Sequence, residues 1–108
     1  MTKTIARTKL IGVRADGERQ EIEIKIGTPY KIEHEDNLEE WACPVSLEPL
    51  YKKLHDAHGS DSFQAMCLAA SLVIDLLAAF RENGGRILME SGDEFPLEAY
   101  WFGHAKNT

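Results

Sequence analysis

The feature that most restricts what this chain can fold into is a long apolar run near its middle, SFQAMCLAASLVIDLLAAFREN, residues 62–83, closed by Gly84-Gly85. Asp61 stands three residues before Gln64, the spacing of a capping box. The carboxylate accepts from the first helix amides and the Gln side chain reaches back. Gly84 suits the left-handed position that closes a helix. About 22 residues give a helix about 33 Å long. Its polar stripe is thin: Gln64, Ser71, Asp75 and Glu82, interrupted by Leu68 and Ala78. A helix apolar around most of its circumference needs cover on more than one side. It is expected to lie across a curved sheet under a flap, or against a second subunit, with Ala65, Ala69, Ala70 and Ala79 allowing close approach. Ser71 and Asp75 break the run and few apolar residues flank it, so a core helix is expected rather than a bilayer span.

Around this helix the pattern is that of strands. TIARTKLIGVR and RQEIEIKIG flank Asp16-Gly17, a strong hairpin signal because the turn needs the positive φ that Gly adopts freely. Ile22, Ile24 and Ile26 alternate with Glu21, Glu23 and Lys25. A two-residue loop sets Ile11 against Ile22. A three-residue loop with a bulge sets Leu10 against Ile22, Thr8 against Ile24 and Ala6 against Ile26. The second is preferred, since it leaves Arg7 and Lys9 outward, near Lys25 and Glu23. A third strand is expected near 40–48, where Trp41, Cys43, Val45 and Leu47 share a face. Pro44 removes a ladder donor, which places this strand at an edge or at a bulge. Residues 50–59 read as a short extended piece. After the helix, RILMES and then EFPLEAYWF read as C-terminal strands separated by a turn at Gly92-Asp93, with Phe95, Leu97, Ala99 and Trp101 on one side.

Charge narrows the partners. The formal net charge is -6. Residues 1–31 carry seven Lys/Arg against four Asp/Glu, and residues 32–61 carry two against eight. An acidic chain repels phosphate backbones, so no nucleic-acid partner is expected. The connection KIEHEDNLEE holds five carboxylates but lacks the spacing and glycine turn of a calcium loop, and reads as a solvated segment. Two cysteines in no paired motif fit a reducing compartment, and MTKTIARTKLIG lacks the apolar core of a signal peptide. A cytoplasmic, single-domain protein spanning residues 1–108 is expected, with short flexible ends near 1–3 and 104–108.

Few residues suggest chemistry. Cys43 shares its strand face with apolar neighbours and reads as packing, as does Cys67 between Met66 and Leu68. His55, Asp56 and His58 form the best metal or acid–base candidate, with Cys43, His34 or His104 as further ligands from elsewhere. They lie in an extended piece, where two histidines three apart do not share a face. No phosphate loop, nucleophile elbow or zinc-helix motif is present. No catalytic residue and no cofactor is expected. Tyr100, Trp101 and Phe102 form a candidate contact surface, since Tyr100 and Phe102 fall on the side of the strand with no evident core to enter.

The order of short motifs is distinctive. A lysine- and arginine-rich hairpin precedes W-x-C-P-V (Trp41, Cys43, Pro44, Val45). Then come H-G-S-D-S-F-Q-A (His58 to Ala65), F-R-x-x-G-G (Phe80 to Gly85) and F-P (Phe95, Pro96). Over most of residues 5–96 this resembles a family of small bacterial proteins known only as a domain of unknown function. The resemblance implies a bacterial, single-domain, cytoplasmic protein and brings no activity, cofactor or catalytic residue.

The expected fold is α+β: an antiparallel sheet of four or five strands with one long helix near 61–83 on one face. The expected function is a non-enzymatic binding or regulatory module acting on a protein partner or as a homodimer. The alternative is a small metal-dependent enzyme or metal-binding protein using His55, Asp56 and His58.

Overall fold

Strands β1 (Thr4–Val13) and β2 (Arg19–Gly27) form the antiparallel hairpin of the computed structural model, which describes residues 3–100. Leu10 faces Ile22, Thr8 faces Ile24 and Ala6 faces Ile26, the register expected from a three-residue loop. Arg14 N–H donates to Glu18 O at 2.8 Å, and Gly17 closes the turn at φ 92°. Only glycine takes that backbone angle without strain. The Asp16 carboxylate accepts from Glu18 N–H and stiffens the loop.

The predicted third strand proves to be two. β4 (Glu40–Cys43) ends at Pro44, and β5 (Val45–Glu48) resumes in a different sheet. The larger sheet has the order β5-β2-β1-β7, where β7 is Arg86–Leu88. The smaller has the order β3-β4-β6, where β3 is Tyr30–Ile32 and β6 is Ala57–Gly59. Every pairing is antiparallel. Pro44 is the switch point for a physical reason: it has no amide for either ladder, while its carbonyl still accepts from Gly27 N–H at 2.9 Å. The edge position expected for this segment holds for β5 but not for β4, which is the middle strand of the small sheet. Cys43, Val45 and Leu47 point inward as expected, but Ala42 is fully buried too, because the chain is passing from one sheet to the other.

Helix α1 (Ser62–Glu82) is capped much as its sequence foretells. The Asp61 carboxylate accepts from Gln64 N–H at 2.7 Å. The Gln64 side chain reaches one residue beyond the cap, accepting from Ser60 N–H at 2.6 Å. At the far end Gly84 sits at φ 95°, and the amides of Gly84 and Gly85 bond back to Arg81 O and Phe80 O. These bonds form a Schellman closure. Ala65, Ala69, Val73, Ile74 and Leu77 are buried, while Gln64, Leu68, Asp75 and Glu82 face solvent. The helix lies closely along β6 and β4 and more lightly on β5, β2 and β7, so both sheets contribute to its cover, while Phe63 and Leu68 stay exposed. Burying a side chain such as Leu77 is worth about 2 kcal/mol of transfer free energy. By length and composition alone α1 is apolar enough to cross a membrane, contrary to the expectation from its flanks. In this structure it packs against two sheets instead.

The second C-terminal strand does not extend as expected. Gly92 (φ 100°) turns the chain and Glu94 bridges Leu88, but Leu97–Tyr100 coils into a 3-10 turn. Pro96 explains the break, since it cannot donate to a ladder. Phe95 and Leu97 are still buried, entering the core by folding over it rather than by alternation.

Candidate binding surface

Three places in the described structure bring reactive or apolar side chains together. The first is a cluster at one end of the small sheet. Glu40, at the start of β4, accepts from His34 Nε2–H through Oε1 and from His58 Nδ1–H through Oε2. These two hydrogen bonds, His34 first, hold the Glu40 carboxyl below its ordinary range. An open shelf of about 360 Å³ runs past these side chains to Ser60. Beside it Lys31 pairs with Glu39 at 3.1 Å, and Glu39 also accepts from the Trp41 indole. Two carboxylates of the acidic connection are therefore tied into the small sheet rather than simply solvated.

The expected cluster of His55, Asp56 and His58 is not assembled. Asp56 accepts from the Tyr30 hydroxyl, His58 turns to Glu40, and His55 is exposed. Cys43 is fully buried, and its Sγ–H donates to Gly27 O at 3.3 Å. Burial, with a smaller push from Asp56, raises its thiol pKa, the opposite of what a nucleophile needs. Among the described residues no group of three or more His, Cys, Asp or Glu is arranged to hold a metal ion. His104 lies outside the described residues.

The second place is an open depression of about 470 Å³ where the hairpin turn meets the end of α1, lined by polar and apolar groups including Arg14, Asp16, Tyr51 and Phe80. The third is smaller, about 250 Å³, but much more apolar. Its floor is the inner face of the hairpin, Ala6, Thr8, Ile24 and Ile26. One wall is α1 through Ala70, Val73 and Ile74, and the other is Phe95 with Tyr100. The two rings stack with centroids 4.8 Å apart at 23°. Tyr100 is 49% exposed, so its ring forms a rim rather than core. The groove lies beside the first half of β1, residues 4–9, which is exposed, and Ala70, Val73 and Ile74 of α1 border it.

A family model covers nearly all of this framework. The model for a domain of unknown function, DUF6968, matches residues 7–97. The chain belongs to the DUF6968 family. No curated protein and no solved structure matches it. The match takes in both sheets, α1 and most of the groove, so the DUF6968 domain and the folded unit described here are nearly coextensive.

Of the expected contact residues, Tyr100 is placed at the groove rim, while Trp101 and Phe102 lie outside the described residues. Sequence reading missed Ala6, Thr8 and Ile26 as surface-forming, because their even-numbered alternation marks a buried face. It also missed the pairing of His34 and His58 on Glu40. Here no local signal was available, since His34 lies in the acidic connection, Glu40 at the start of β4 and His58 in β6.

Proposed function

We propose that this DUF6968 domain is a non-enzymatic binding or regulatory module that works by contact with another protein. The observation that carries this reading is the apolar groove between β1, β2 and α1. Its walls are the nearly buried Ile24, Val73, Ile74 and Phe95, and its mouth leaves Ala6, Ile26 and the Tyr100 ring partly or fully exposed, so a well-formed concavity presents apolar surface to solvent there. A protein side chain or segment entering it gains hydrophobic transfer energy without rearranging the fold.

The test is a pair of groove variants, Thr8→Glu and Tyr100→Ala, each first checked for an unchanged far-ultraviolet spectrum. Chemical crosslinking in cells followed by mass spectrometry should identify a partner joined to the wild type and lost with both variants. Identical crosslinking profiles for all three proteins would overturn the reading. The metal-dependent alternative has no comparable support, since Asp56 and His58 are each engaged by another side chain.

A further inference from the structure

The larger sheet ends, on one side, in a strand that is only partly paired. β7 covers β1 at Ile11, Gly12 and Val13 alone. Among the described residues nothing pairs with Thr4–Leu10 on that side. At 3.3 Å per residue this open edge is about 23 Å long. The hydrogen-bonding phase of the hairpin says which groups it offers. Arg14 bonds Glu18 across the turn. In an antiparallel pair bonded positions alternate, so Gly12, Leu10, Thr8 and Ala6 turn their amides toward β2. The amides and carbonyls of Arg7 and Lys9 therefore face the open side.

The side chains of this edge divide by parity. Ala6 and Thr8 face the apolar groove, and Arg7 reaches its margin. Arg7 and Lys9 stand on the outer face, and the first fifteen residues contain Lys3, Arg7, Lys9 and Arg14 without a single carboxylate. Charged residues on an edge commonly guard it against casual pairing. This guard is shared with β2, where Glu23 pairs with Arg7 at 3.1 Å and stands across from Lys9, so a strand carrying carboxylates at the facing positions meets Lys9 and an Arg7 that already holds one carboxylate.

From this geometry we infer that the partner adds to the sheet as a strand: an extended peptide segment of alternating apolar and acidic residues pairs along β1 from Thr4 to Leu10. Its apolar side chains enter the groove against Val73, Ile74 and Tyr100, and its carboxylates lie beside Arg7 and Lys9. The backbone edge supplies affinity and the two faces supply selectivity. A second copy of β1 is disfavoured on the same edge, since two-fold pairing centred on Arg7 sets Arg7 against Arg7 and Lys9 beside further cations. The inference rests on the contact-module reading above and names its partner's chemistry.

The probe is a capped eight-residue peptide alternating valine and glutamate, with a valine–lysine peptide of equal length as control. Titrated into the full chain and followed by amide hydrogen exchange, the glutamate peptide should slow exchange at Arg7 and Lys9 at least about tenfold, while the lysine peptide leaves them unchanged. N-methylation of the peptide at the residues facing Arg7 and Lys9 should abolish binding. The double variant Arg7→Glu/Lys9→Glu should prefer the lysine peptide. If that variant proves unstable, the exchange and N-methyl results decide alone. Peptide binding in the groove without protection of those two amides would overturn strand addition and leave the contact module standing. Protection of the two amides before any peptide is added would also overturn it, by showing that the chain's own C-terminal residues or a second copy hold the edge. Binding by neither peptide, together with crosslinking profiles unchanged by the groove variants, would overturn both readings.

Discussion

Gly59→Ala tests the closest approach between the small sheet and the helix. Gly59 is the last residue of β6, lying against the first turn of α1. A Cβ placed there would sit 2.6 Å from Ala65 N and 3.0 Å from Gln64 C. Those are backbone atoms of a turn anchored by the Asp61 cap and by the fully buried Ala65, so no rotamer change relieves the clash. Ordinary separation requires β6 and α1 to part by about 1 Å. Overpacking of this kind costs about 1–3 kcal/mol. The gain of about 0.5 kcal/mol from stiffening the unfolded chain offsets little of it. A net loss of about 2 kcal/mol is expected, lowering Tm by about 8–16 °C for a domain of this size. Gly85→Ala is the matched comparison. Its Cβ would approach within 2.5 Å of the Phe80 ring, an equally close contact with a side chain that can swing away. The cost there should stay near about 1 kcal/mol, that of an off-rotamer ring. Urea unfolding of both variants at one pH decides the matter. If Gly59→Ala proves as stable as the wild type, or Gly85→Ala loses more than it does, then the difference between backbone and side-chain obstruction is the wrong reasoning.

Three further outcomes can be measured. Asp61→Ala removes the acceptor for Gln64 N–H and should cost about 1 kcal/mol in urea unfolding, whereas Asp61→Asn should recover most of it. Under native conditions a disulfide reagent should modify the half-exposed Cys67 well before the buried Cys43, which should react only as denaturant opens the core; rapid native modification in a Cys67→Ser variant would contradict the burial. The Glu40 carboxyl is held below its ordinary 4.5 by His34 and His58. Its contribution to stability is therefore present above that value and lost as the pH falls through its lower folded value. The stability gap between wild type and Glu40→Gln should accordingly be open near neutral pH and close in acid, and a gap that widens in acid would refute the sign.

Much of the framework was legible locally. The hairpin follows from Gly17 and the Ile22, Ile24, Ile26 alternation, the preferred one of its two possible registers from the outward placement of Arg7 and Lys9, and α1 from Asp61, Gln64 and Gly84, all signals contained within a few residues. The inward turn of Cys43 was legible for the same reason. Errors arose where a residue has a role in two elements. Pro44 announced a disturbed strand, but nothing near it says that the chain changes sheets there. Tyr30–Ile32 is too short to show a period of two. The alternation of Phe95, Leu97 and Ala99 is apolar in the right places, yet Pro96 and the path over the core turn it into a 3-10 segment.

The candidate site divides along the same line. By itself the sequence determines which side chains each strand and helix presents, because propensity, capping and turn geometry act over short range. It therefore determines that β1 carries Arg7 and Lys9 on one face and Ala6 and Thr8 on the other. Only the tertiary structure decides that α1 stops short of Ala6 and Thr8, that β7 covers just three residues of β1, and that His34 and His58 meet on Glu40. Those outcomes depend on where elements distant in sequence come to rest, and that is set by the packing of α1 against two sheets at once rather than by any local preference.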